Sequence, residues 1–174
     1  MFKKLSTLIF VLFVSISLTA CTTEQMTQEK GTTFSKAGIR FDCPGGWEIT
    51  EDKQVLENEY FVVCEKKGTN ESGLVLVKWT TESLEKLKML NIIKDYYKDT
   101  YQKKHDVEIK FKKVDEKKTR VEYSFEVSDV KHKGWITAKD CDNATAGLIF
   151  QSTKDDMGKD EDTFENIEGS FACN

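Results

Sequence analysis

The chain is poor in histidine, the residue that most often serves as a general acid or base. Among its 174 residues are two histidines, His105 and His132. Neither has a nucleophile or carboxylate at a spacing that marks a general base. His105 reads as a helix end and His132 as part of the turn Lys131-His132-Lys133-Gly134, both solvated. No G-x-S-x-G elbow is present, which removes one serine-hydrolase cue. No C-x-x-C pair occurs and neither histidine stands at ligand spacing, which argues against zinc. Asp155, Asp156, Asp160, Glu161 and Asp162 have the oxygen chemistry that calcium takes. They lack the D-x-[DN]-x-[DN]-G loop, and acids at a helix start already complement the helix dipole. Gly45-Gly46 stands alone and is a turn signal rather than a phosphate cradle. The formal charge is −4 with no basic run interleaved with aromatics, so nucleic acid is not an expected partner. These absences predict no enzyme, no catalytic residue, no metal and no cofactor.

What is present begins at the N-terminus. Lys3 and Lys4 precede an apolar stretch, Leu5 to Ala20, that is 16 residues long and interrupted by serines and threonines. A membrane-spanning helix needs roughly 20 apolar residues. A positive start, a short apolar middle and small residues before a cut make an export signal. Leu18-Thr19-Ala20-Cys21 resembles the lipobox of bacterial lipoproteins. The resemblance implies cleavage before Cys21, a thioether-linked diacylglycerol on its sulfur and an acylated amine. An ordinary secretory cut is the alternative. Several acyl chains satisfy the rule that stable anchoring takes more than one lipid signal. The expected partition is a signal peptide over 1–20, a flexible tether over 21–37 and one domain over 38–174. Thr22 to about Lys36 is polar and poor in apolar residues, as a tether should be. Removing residues 1–20 takes away two lysines and shifts the charge to −6. The expected location is the cell envelope. It is the outer membrane in a Gram-negative source, because Thr22 is not the aspartate that retains lipoproteins at the inner membrane.

Four cysteines remain after Cys21: Cys43, Cys64, Cys141 and Cys173. An even number in an exported domain reads as disulfides, and four cysteines allow three pairings. The favoured pairing joins sequence neighbours, Cys43–Cys64 and Cys141–Cys173. Cys43 and Cys64 lie on early strand candidates, and Cys173 follows a terminal helix that could return beside Cys141.

Alternation of apolar and polar residues marks half-buried strands. Ile39, Phe41 and Cys43 alternate with Arg40 and Asp42, and Pro44-Gly45-Gly46 closes that strand. Residues 60–64 and 74–79 form a hairpin whose near-continuous apolar runs suit central strands. Leu84, Leu87, Leu90, Ile93, Tyr97 and Tyr101 form one stripe of a helix over about 82–104, with Thr81 as N-cap. Strands follow around 107–111, 121–127, 135–138 and 147–151 as an antiparallel meander. A short helix over about 160–168 turns Phe164 and Ile167 inward. This order predicts α+β architecture, an antiparallel sheet of about six to seven strands with helices over its faces. Trp47, Trp79, Trp135, Tyr96, Tyr97 and Tyr101 either line a pocket or pack a core, and Trp47 and Trp79 are assigned to the core. Asn70-Glu71-Ser72 and Asn143-Ala144-Thr145 match the glycosylation pattern and mark surface turns at most.

Phe41-Asp42-Cys43-Pro44-Gly45-Gly46-Trp47 resembles the strand and Pro-x-Gly-Trp turn of the PsbP-like superfamily. Phe164-Glu165-Asn166-Ile167-Glu168-Gly169-Ser170-Phe171 resembles its closing F-x-x-I-x-x-S-F helix. The resemblance spans about 38–173 and implies an α/β/α sandwich used mainly for protein contact. Plant members bind a photosynthetic complex and a yeast relative binds a small GTPase. No catalytic residue is carried over, and the four cysteines are not part of the pattern. The expected function is a lipid-anchored accessory module that docks on an envelope protein. The alternative is a carrier of a hydrophobic or sugar-like ligand held between helix and sheet.

Overall fold

The computed structural model describes residues 30–68, 72–117 and 119–173, without the side chain of His105. The expected signal peptide, Cys21, the start of the tether and Asn70-Glu71 lie outside these residues. The elements in chain order are β1 (Thr32–Lys36), β2 (Ile39–Cys43), β3 (Trp47–Leu56), β4 (Glu59–Lys66), β5 (Leu74–Thr80) and α1 (Lys86–His105). They are followed by β6 (Lys110–Phe111), β7 (Arg120–Val127), β8 (Val130–Cys141), β9 (Ala144–Thr153), α2 (Met157–Ser170) and β10 (Ala172–Cys173). Seven strands form one antiparallel sheet in the order β3-β4-β5-β9-β8-β7-β6. A second, three-stranded sheet has the order β1-β2-β10. The fold class is α+β.

The longest apolar runs take the middle of the large sheet, where both faces are covered. Every residue of β9 from Ala144 to Ser152 is buried. Val62, Cys64, Val75, Val77, Trp79, Trp135, Leu148 and Phe150 face one core, closed by the small sheet and by Met157, Phe164 and Ile167 of α2. Val121, Tyr123, Phe125, Ile136 and Ile149 face the other, closed by Met89, Leu90, Ile93 and Tyr97 of α1. α1 lies close because Gly147 has no side chain: a Cβ there would meet Ile93 Cγ1 at 2.2 Å.

Several expectations change. Thr32–Lys36, placed in the tether, is a strand that pairs with β2 and buries Phe34, so the folded part starts before Gly38. Its single apolar residue gave no periodic signal. Ala37 and Gly38 both take positive φ, 45° and 84°, as a tight two-residue hairpin turn requires. β3 runs to Leu56 although it is exposed after Ile49, because an edge strand need bury little. Lys131–Gly134 is strand rather than turn. The turn is Ser128-Asp129, both at positive φ, between the paired residues Val127 and Val130. The expected strand at 107–111 forms only at Lys110–Phe111.

α1 starts at Lys86, with Glu85 as N-cap and no side-chain cap. Thr81 is not the cap. The approach to the helix is held instead by the Leu84 N–H, which donates to Thr145 Oγ1 at 2.8 Å. Leu87 lies at the edge of the buried arc and is 43% exposed, and Met89 replaces it as a packing residue. α2 begins three residues earlier than expected and ends two later.

Candidate functional site

The large sheet is covered diagonally. α1 packs on β8 and β9. On α1's side, β4 and β5 therefore present half-buried Phe61, Leu74 and Leu76 with buried Val63. These residues, with Tyr96, Tyr97 and Tyr101 of α1, line a cleft of about 240 Å³. Its rim carries the Lys78 amine 4.6 Å above the Tyr96 ring and paired with Glu59 at 3.0 Å. Its depth ends at buried Gln151, whose side-chain oxygen accepts a hydrogen bond from the Tyr97 hydroxyl. Tyr123 donates its hydroxyl to Phe150 O at 3.1 Å. Burial pushes the Tyr123 phenol far above the ordinary tyrosine range, opposed by its hydrogen bond with Tyr97.

On the opposite face, α2 and the small sheet cover the β3–β9 side and leave β6, β7 and the outer half of β8 open. Alternation sends Arg120, Glu122, Ser124 and Glu126 of β7 to this side. Two adjoining clefts lie here, of about 540 and 270 Å³. The larger is lined by Lys110, Ser124, Glu126, Lys131, Lys133 and Lys154, with Glu108, Phe125 and His132. The smaller contains Arg120, whose guanidinium lies 3.9 Å from the Trp135 ring centroid. That is a favourable cation–π geometry.

The residues singled out from the sequence separate. His132 is buried, its ring parallel to Phe125 at 4.9 Å, because it lies on the α1 face of β8. The acidic residues do not act as a group. Asp160 is buried, receives a 2.6 Å hydrogen bond from Ser152 and pairs with Lys66 at 2.8 Å. Asp156 binds Lys159 and Thr153, and these hydrogen bonds, Lys159's first, hold its carboxyl below the ordinary range. Asp155, Glu161 and Asp162 are exposed. Among the described residues no three His, Cys, Asp or Glu side chains are placed to hold a metal. Trp47, Trp79 and Trp135 are all buried, and Trp135 packs on Phe150 at 4.9 Å and on Phe164 at 5.4 Å. Thr145 of the second Asn-x-Thr match is fully buried.

The cysteines sit at disulfide distance in two pairs. Cys43 and Cys64 have Cα atoms 6.1 Å apart, are fully buried and link β2 of the small sheet to β4 of the large one. Cys141 and Cys173 are 5.5 Å apart and join the end of β8 to the C-terminal strand. No helix among the described residues is long and apolar enough to cross a membrane.

No protein-family model matches the chain, and no curated protein matches it in sequence. Solved structures do match. The solution structure of cyanobacterial PsbP (CyanoP) from Synechocystis has a TM-score of 0.51 at 14% identity, covering 90% of this chain and 99% of that one. A crystal structure from Bacteroides thetaiotaomicron has a TM-score of 0.50 at 12% identity and covers 84% of this chain. This chain spans about half of that second protein, 49% of its length. At these identities the likeness is one of fold, and the fold is PsbP-like.

Proposed function

We propose that this protein is a non-enzymatic accessory module, lipid-anchored to the cell envelope at Cys21, that docks on another envelope protein. The observation that carries the reading is that three of the five large apolar side chains exposed among the described residues stand at one end of the sheet, the other two being Ile92 on α1 and Val130 at the β7–β8 turn. Val55 and Leu56, 52% and 61% exposed, occupy the tip of the β3–β4 hairpin. The Thr81 N–H donates to Asn58 O at that tip, which places the start of α1 and exposed Leu87 at the same end of the sheet. The described chain begins at the other end. A Cβ on Gly31 would touch Cys43 O, and Cys43 is bonded to Cys64. Cys64 pairs with Ile49, seven residues along β3 from Leu56, or about 23 Å at strand rise. An anchored domain thus presents its apolar tip away from its tether, as a docking module needs. A contiguous exposed apolar patch marks a contact surface, whereas single exposed apolar side chains are ordinary.

The test is crosslinking in intact cells followed by mass spectrometry of what co-purifies. One dominant envelope protein should be captured by the wild-type chain, reduced by Cys21→Ala and lost in Val55→Ser/Leu56→Ser. A partner profile unchanged by the hairpin variant sinks the reading. The cleft lined by Phe61, Leu74 and Tyr96 favours a second reading, a carrier of a small apolar ligand. Its test is the small-molecule content of the purified protein, which Phe61→Asp should empty.

A further inference from the structure

We infer that the open face of β6–β7–β8 holds a binding site for a phosphate-type oxyanion, centred on Ser124 between Lys110 and Lys133. The strand register lays the side chains of this face out in rows. Lys110 pairs with Ser124, and Ser124 with Lys133. The row on one side of it is balanced: Lys112 and Glu122 form an ion pair at 2.6 Å. The row on the other side is balanced as well, since Glu126 stands directly opposite Lys131 across the strands. Glu108 and Lys154 complete the lining there with one charge of each sign. The middle row has two cations, a hydroxyl and no carboxylate.

The far end of that row adds no free negative charge. Lys133 pairs with Ser152 of β9. Ser152 donates to Asp160, and Asp160 is held by the Lys66 amine at 2.8 Å. Among the described residues Lys110 and Lys133 make no ion pair, so two amines about 10 Å apart at the backbone flank one serine hydroxyl. Like charges on one sheet face repel, and an anion over the central hydroxyl relieves that repulsion. Two ammonium donors and one hydroxyl match the acceptors of a tetrahedral dianion. The cleft above, about 540 Å³, admits a phosphate carrying a small organic group. The same chemistry is offered by a free phosphate ester and by a phospholipid headgroup. The inference needs neither the anchor nor the docking role.

The purified full chain is titrated calorimetrically with inorganic phosphate at low ionic strength, beside phosphatidylcholine vesicles and then beside phosphatidylglycerol vesicles. Saturable phosphate binding is expected, weakened about tenfold by Lys110→Gln and by Lys133→Gln. Lys133→Arg should retain it, and Lys98→Gln, on the solvent side of α1, should leave it unchanged. Loss of phosphate binding on changing to phosphatidylglycerol identifies a lipid headgroup as the occupant, and its persistence identifies a free phosphate. Absence of saturable binding beside phosphatidylcholine, or an equal loss in Lys98→Gln, overturns the site. Near-ultraviolet circular dichroism of each variant confirms that the fold is retained.

Discussion

The two uncovered quarters of the large sheet differ in what they expose. Beside α1, β4 and β5 present Phe61, Leu74 and Leu76 against tyrosines. Diagonally opposite, β6 to β8 present Lys110, Lys112, Arg120, Glu122 and Lys133. The covered quarters are alike, each filled by aromatic rings from sheet and helix. The sheet therefore takes its stability from two opposite quarters and leaves the other two open, one apolar and one charged. Changes in the covered quarters should cost stability, and changes in the open ones should alter binding.

The largest expected effect is in the core under α2. Phe164 is fully buried against Trp47, Trp135 and Phe150. Phe164→Ala should cost about 3–5 kcal/mol in a denaturant titration. Removing Cys43–Cys64 as a double Ala variant should cost about 3 kcal/mol from the unfolded chain alone, plus the loss of buried packing. The Cys141–Cys173 loop is longer, 32 residues against 21, so chain entropy by itself ranks it slightly higher. A larger loss for Cys43–Cys64 would show that burial outweighs loop length, and the reverse order would place the entropy first.

Under α1, Gly147→Ala should destabilise by about 1–3 kcal/mol, because Ile93 must move. Suppression by Ile93→Val would confirm that contact. Tyr123 sets a pH dependence in the same quarter. Its folded pKa is raised, so its contribution is complete below the unfolded value of about 10 and falls as pH rises beyond it. Tyr123→Phe should flatten the alkaline fall in melting temperature and cost about 1 kcal/mol at neutral pH, from the lost hydrogen bond. The smallest effect belongs to the open charged quarter. Lys112 is 75% exposed in its pair with Glu122, and Lys112→Gln should change stability by under about 1 kcal/mol.

The parts of this fold that were legible in the sequence are those in which burial imposes a period. Ile39, Phe41 and Cys43 alternate because one face of β2 is buried, and β7 shows the same pattern over eight residues. The apolar runs at 60–64 and 74–79 announced central strands, and the meander from β6 to β9 followed from four patterned segments. What stayed hidden has little burial or depends on distant partners. β1 buries only Phe34, and β3 has no apolar alternation past Ile49. The Ser128-Asp129 turn uses positive φ without glycine, so the usual signal was missing. His132 looked solvated because lysines flank it, yet period two turns it to the opposite face. The uncompensated row across Ser124 depends on register between three strands, which no single segment encodes.

The Cys43–Cys64 bond also has a mechanical consequence. It sits where the first described residues meet the domain, with Thr32 paired to Cys43. Tension on the preceding residues would open the β1–β2 ladder one pair at a time, as far as the Ala37-Gly38 turn. Peeling of β2 would then stop at Cys43, where a covalent link passes the force to β4, a strand paired on both edges. Residues 32–43 would act as a yielding strap of fixed length that stretches before the load reaches the interior of the sheet.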